Sequence, residues 1–145
     1  MSVSGNRNSV EYSPKAPQLS VSNSFRTFNI DETSEKLSLV HFWDSEDAVS
    51  RIENKTLTQL AKDFADKIDY VGIYSGADRT LFETALLADG CNAENQFFLA
   101  DSENYAREYA DFSLASGNHT LLISKDGRIL SINPSDEQLK SLLNK

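Results

Sequence analysis

The stretch Leu37-Ser38-Leu39-Val40-His41-Phe42-Trp43-Asp44-Ser45-Glu46-Asp47-Ala48-Val49-Ser50-Arg51-Ile52-Glu53 decides the fold. Leu37, Leu39, Val40, Phe42 and Trp43 form a short, nearly continuous apolar run, as expected of a central strand buried on both faces. The run stops at Asp44-Ser45-Glu46-Asp47, which reads as a helix start. Asp44 can accept from the free N–H groups of a first turn, and Glu46 and Asp47 suit the positive end of the helix dipole. The spacing then predicts a helix to about Asp66, with Val49, Ile52, Leu57, Leu60, Ala61 and Phe64 on its inner face and Lys62, Asp63 and Asp66 off it.

Strand followed by helix repeats downstream. Ile68 to Tyr74 reads as a second apolar strand, and Arg79 to Asp89 as an amphipathic helix closed by Gly90. Gln96 to Ala100 reads as a third strand and Glu103 to Tyr109 as a short helix. Thr120 to Ser124 and Ile129 to Ile132 form a hairpin through Lys125-Asp126-Gly127-Arg128, where Asp-Gly supplies the turn. A last helix, Asp136 to Leu143, is capped by Ser135 after Pro134. With a weaker strand near Phe25 to Ile30, the order is β-α-β-α-β-α-β-β-α. It predicts a mixed sheet between helical layers, with the hairpin as an antiparallel edge.

Composition narrows the function classes. The chain has 145 residues, 39% of them hydrophobic and 10% aromatic, enough for one folded domain. Met1 to Pro17 is rich in Ser and Asn, holds two of the three prolines and shows no period. It reads as a flexible tail, leaving residues 18–145 as the domain. Fourteen Lys plus Arg against 22 Asp plus Glu give a net charge of −8, which disfavours nucleic acid and anionic lipid as partners. No apolar run is long enough for membrane insertion. The one cysteine, Cys91, allows neither an intrachain disulfide nor a Cys-rich zinc site.

The run Val40 to Glu53 resembles the active-site segment of thioredoxin-like proteins, above all the bacterial envelope thiol-disulfide oxidoreductases of the TlpA and ResA types within the AhpC/TSA-like branch. That family writes Phe-Trp-x-Ser-x, Cys-x-x-Cys, Arg-x-Glu and a helix. Phe42, Trp43, Ser45, Arg51, Glu53 and Leu57 match in register, with Asp47 and Ser50 at the two cysteine positions. Ala16-Pro17 followed by Phe25 to Ile30 is similar to the family's opening "Ala-Pro-x-Phe" strand. Thr120 to Ile129 is similar to its "Thr-Phe-Leu-Ile-Asp-x-x-Gly-x-Ile" hairpin. The resemblance runs from about residue 16 to the C-terminus and implies a three-layer α/β/α sandwich.

The departures bear on activity. Exchange needs an attacking thiolate and a resolving thiol, and a helix N-terminus lowers the thiol pKa. Asp47 keeps a negative charge there but cannot form a mixed disulfide, and Ser50 cannot resolve one. The family places a cis-proline before the hairpin strand; Gly117-Asn118-His119-Thr120 puts Asn118 at that position, where a non-proline residue prefers trans by about 2.5–4 kcal/mol. The substrate loop is therefore expected to have changed shape.

Cys91 reads as a half-buried structural thiol, since reactive cysteines need an electropositive setting and Asp89 and Glu94 are close in sequence. His41 reads as a satisfied core imidazole, whereas His119 falls beside the vestigial pocket. His41, His119 and Cys91 lack metal-ligand spacing, and Asp44 to Asp47 lacks that of a Ca²⁺ loop, so no metal or other cofactor is expected. Trp43 is either a groove aromatic or core. Tyr105, Tyr109 and Phe112 read as packing.

Three functions follow as expectations. The first is a redox-inactive binding module whose protein or peptide partner docks over Trp43, Asp47, Asn118 and His119. The alternative is a single-thiol oxidoreductase or peroxidase-like enzyme using Cys91. A structural part of a larger anchored polypeptide is a third. The resemblance implies a bacterial envelope or periplasmic lipoprotein, tethered through a segment outside this sequence, and a single reduced cysteine is equally compatible with cytoplasm. The oligomeric state is left open.

Overall fold

A computed structural model describes residues 13–30 and 33–144. The central sheet has five strands in the order β5-β4-β3-β6-β7, formed by β3 (Leu37–Trp43), β4 (Ile68–Tyr74), β5 (Gln96–Phe98), β6 (Thr120–Ile123) and β7 (Ile129–Ile132). β3, β4 and β5 are parallel, while β6 runs antiparallel to both β3 and β7. This is the expected mixed sheet with its C-terminal antiparallel hairpin.

The helices α1 (Ala48–Asp63), α2 (Arg79–Asp89), α3 (Tyr105–Asp111) and α4 (Asp136–Leu143) complete the three layers. Residues alternate across each strand, so β3 is buried on both faces by different partners. Leu39 packs with Leu57 and Leu60 of α1 and Leu139 and Leu143 of α4. Val40 and Phe42 point the other way, into a core closed by Phe112, Leu114 and the N-terminal segment.

That N-terminal segment differs from the sequence expectation. Instead of one strand over Phe25 to Ile30 there is a hairpin, β1 (Ser20–Ser22) with β2 (Thr27–Asn29). Leu19, Val21, Phe28 and Ile30 enter the core, while Phe25 sits at the turn and is exposed. The Asn23 side chain forms the turn by accepting from the N–H groups of Phe25 and Arg26, an Asx-type closure. Arg26 then grips Asp69 at the start of β4 with two 3.0 Å bonds. Of the stretch read as a tail, residues 1–12 lie outside the described residues, and residues 13–17 lie along the C-terminal hairpin. Ile129 N–H donates to the Pro14 carbonyl and Ala16 N–H to that of Gly127.

Helix starts follow local chemistry. Ser135 and Gln138 form a capping box on α4, and Asp78 accepts from the N–H groups of Thr80 and Leu81 on α2. Gly90 ends α2 at φ 64°, a left-handed position at which glycine avoids a Cβ penalty. β5 stops at Phe98 because Leu99–Asp101 turn into 3-10 geometry, and α3 begins two residues later than expected. α1 ends at Asp63 and is capped by Asp47, not Asp44. Asp44 closes the preceding turn, accepting at its side chain from Glu46 N–H and at its carbonyl from Asp47 N–H.

Candidate functional site

Asp47, Asn118 and His119 are brought together where the C-terminal end of β3 meets the start of α1 and the loop before β6. Asp47 caps α1 through Ser50 N–H, and its other oxygen accepts from the Asn118 amide at 3.1 Å. Asn118 in turn accepts from the Ser75 hydroxyl at 2.6 Å, and Ser75 sits just past β4. One hydrogen-bonded chain therefore ties three segments across the mouth of the site. The Asn118 bond, more than the α1 N–H groups, holds the Asp47 carboxyl below its ordinary pKa. All described peptide bonds are trans, Asn118 included.

Ser50 faces inward. It is 3% exposed, and its hydroxyl lies against the carbonyls of Asp44 and Asp47 while accepting from Asp44 N–H. The side chains at the two cysteine positions of the resembling family thus play different parts, one capping and partly exposed, the other sealing the turn beneath. Neither is a thiol.

His41 is the satisfied core imidazole that the sequence led us to expect. Its Nε2 can only donate to the Ser50 carbonyl, at 3.0 Å, so neutral Nδ1 accepts from the Thr120 hydroxyl at 2.8 Å. Burial drives its pKa down to about 4. His119 is partly exposed, with its ring 5.4 Å from that of Phe42.

Trp43 is not a groove residue. It is fully buried, and its Nε1 donates to Gln96 at 3.0 Å. Tyr74, Phe82 and Phe98 surround it in an aromatic cluster, because α2 covers this end of the sheet. Trp43 therefore leaves the set of contact residues.

α1 departs from its expected face in its first two turns. Val49 and Ile52 are 69% and 63% exposed, while Ser50 and Asn54 point inward. The reason lies below them: His41, Tyr70 and Gln96 are buried polar partners, and polar groups in a core need one another. The Asn54 side-chain oxygen accepts from Tyr70 Oη and from Gln96 Nε2. This polar core was the element the sequence concealed.

Cys91 follows α2 and is half-buried beside the middle of α1. Asn54 Nδ2 approaches its Sγ at 3.6 Å. Burial above all, with Asp89 adding to it, pushes the thiol pKa up, opposite to the shift a reactive thiolate requires. Of the two cations that act on it, Lys55 and Arg51, Arg51 is held by Asp89 through bonds of 2.8 and 2.9 Å.

A cleft of about 450 Å³ opens beside Asn118 and His119, with Phe112, Leu121, Ile129 and Ile132 among its lining residues. No group of three or more His, Cys, Asp or Glu among the described residues could hold a metal ion. No helix among them is long and apolar enough to cross a membrane.

No protein-family model matches the chain, and no curated protein sequence matches it. Solved bacterial structures do. A thioredoxin-like protein from Parabacteroides distasonis superposes with a TM-score of 0.72 at 24% identity, covering 86% of this chain and 90% of that one. A thiol-disulfide oxidoreductase from Bacteroides fragilis gives 0.67 at 25%, covering 90% and 97%. A thiol:disulfide interchange protein from a Bacteroides species gives 0.73 at 17%, covering 91% and 87%. The chain has the thioredoxin-like fold, and its structural neighbours include bacterial thiol-disulfide oxidoreductases.

Proposed function

We propose that this domain is a redox-inactive binding module that receives a protein or peptide at the surface formed by Asp47, Asn118 and His119. The observation that carries this reading is the 3.1 Å bond from Asn118 to Asp47. It places a clamped carboxylate where exchange would need a free thiolate, with a buried hydroxyl as its neighbour in place of a resolving thiol. The adjoining cleft and the exposed side chains of Val49 and Ile52 remain available for contact. The single-thiol alternative draws no support from Cys91, whose half-burial and raised pKa both favour the inert thiol.

The test is an insulin-disulfide reduction assay with dithiothreitol or glutathione as electron donor. The expected rate is that of the donor alone, for both the native chain and Cys91→Ser. Turnover above background that Cys91→Ser abolishes overturns the reading in favour of single-thiol catalysis. A bacterial envelope location belongs to the same proposal, supported by the TlpA-type resemblance, and is tested by fractionating cells that express the full gene product.

A further inference from the structure

We propose that residues 10–12 continue the N-terminal segment along the outer edge of β7 and lay Tyr12 over Ile132, as the outer wall of the Asn118–His119 cleft. These residues lie outside the described ones, and their path follows from the edge they approach and the register of the residues after them. β7 is an edge strand, and among the described residues Pro14 to Ala16 cover its start. Lys15 bridges Arg128 in the antiparallel sense. Ala16 N–H donates to the Gly127 carbonyl at 2.9 Å, and Ile129 N–H to the Pro14 carbonyl at 2.8 Å. Arg128 also donates to the Ser13 carbonyl at 3.0 Å. Traced upstream of Ser13, the antiparallel path leads toward Ile132 and Asn133, both of which line the cleft.

The backbone of β7 presents the matching donor. Asn133 N–H turns inward to the Thr120 carbonyl, so by strand alternation Ile132 N–H points to the open edge. Ile129 N–H also points outward, although a regular strand would separate two such groups by an even number of residues. The odd spacing comes from a bulge at Leu130: Ile123 pairs with Ile129, but Leu122 pairs with Ser131. In the N-terminal segment, carbonyls facing β7 recur at every second residue. The one upstream of Pro14 is that of Tyr12, which the bulge sets opposite Ile132 instead of Ser131.

The side chains agree with this register. Ala16 and Ile129 pack on the core that contains Leu121, the cross-strand neighbour of Ile132. Alternation puts Pro14, Tyr12 and Val10 on that face and Ser13 and Glu11 on the other. Ile132, 62% exposed, then gains an aromatic cross-strand partner, and an apolar edge that would otherwise invite foreign strands is closed. A second copy of the chain, at net charge −8, is repelled from the same edge. The proposal stands whether or not a partner docks at Asp47.

The test is hydrogen–deuterium exchange of the full chain, read by nuclear magnetic resonance. The Ile132 amide is expected to exchange roughly tenfold or more slowly than an unprotected amide, and Val10→Asp/Tyr12→Asp to remove that protection. Exchange of the native amide at the unprotected rate overturns the inference. So does protection that survives in the double variant, and dimerisation on sedimentation would then identify a second copy as the occupant of the edge. A disulfide trap reads the register in a Cys91→Ser background. Tyr12→Cys/Ile132→Cys is expected to oxidise roughly tenfold faster than Glu11→Cys/Ile132→Cys, whose first thiol would lie on the opposite face. Equal rates, or a faster Glu11 pair, overturn the placement of Tyr12.

Discussion

The amide of Asn118 reaches 71 residues back along the chain to the carboxylate of Asp47 and closes on it at 3.1 Å. This contact joins the residue that begins α1 to the loop that ends at β6. Asn118→Ala should cost about 1 kcal/mol, the worth of a hydrogen bond to a partly exposed charged group. It should also return the Asp47 pKa toward the ordinary carboxylate range, because Asn118 is the largest cause of its lowering. Carboxyl-carbon titration by nuclear magnetic resonance reads this directly. An unmoved Asp47 titration would show that the clamp does not exist in solution. The sign follows from linkage: a depressed acid contributes stability above its unfolded pKa and loses it as pH falls through the folded value.

His41 works in the opposite chemical sense but loses stability in the same direction. Its folded pKa of about 4 lies below the ordinary 6.5, so between these values the unfolded chain binds a proton that the native state refuses. Stability should therefore fall as pH drops from about 6.5 toward 4, by about 3 kcal/mol over the full window. His41→Gln can retain a donor to the Ser50 carbonyl and removes the titration. Urea midpoints taken at intervals across this range should converge for the two proteins as the medium is acidified. Parallel curves would mean that His41 titrates as an exposed histidine.

Legibility in the sequence divides along the line between local and tertiary causes. α2 and α4 are found at their observed bounds because Asp78, Gly90 and Ser135 act on their own backbones within a few residues. β1 escapes notice because only Val21 of its three residues points inward, too few to show a period. Apolar spacing misleads at Val49 and Ile52 because the face opposite them meets Tyr70 and Gln96, which lie far along the chain. Trp43 carries no local mark of burial; α2, closing over it through Phe82, decides the matter. The Asp47–Asn118 clamp is likewise a product of topology. The sequence placed both residues at the site without joining them.

Gly72 on β4 tests the polar core beneath α1. A Cβ there would lie 2.5 Å from Gln96 Oε1 and 2.8 Å from Asn54 Oδ1, closer than atoms can pack. Gly72→Ala should destabilise the fold by about 1–3 kcal/mol and disturb the bond that Gln96 accepts from Trp43 Nε1. The chain has a single tryptophan, so its emission spectrum reports that change in the native state while the unfolding midpoint reports the cost. A variant with native emission and native stability would place Gln96 elsewhere.

Restoring sulfur tests whether the scaffold still holds the geometry of a dithiol. Asp47 and Ser50 flank the first turn of α1, where the Ser50 backbone N–H donates to the Asp47 side chain at 3.3 Å and the Ser50 hydroxyl to the Asp47 carbonyl at 2.9 Å, so the two residues are held close at the start of the helix. Asp47→Cys/Ser50→Cys should close a disulfide under mild oxidation, seen as loss of both new thiols to an alkylating probe while Cys91 still reacts slowly. Losing the Asp47 carboxylate forfeits the α1 cap, at about 1 kcal/mol, and the Asn118 clamp with it, so the reduced form should melt below the native chain. The dipole of α1 favours a thiolate at the first position, whereas Asn118 offers it only the amide that Asp47 now uses. Failure of the pair to oxidise would mean that the first turn of α1 does not hold these side chains together, and that the acid and the alcohol do not occupy the geometry of a dithiol.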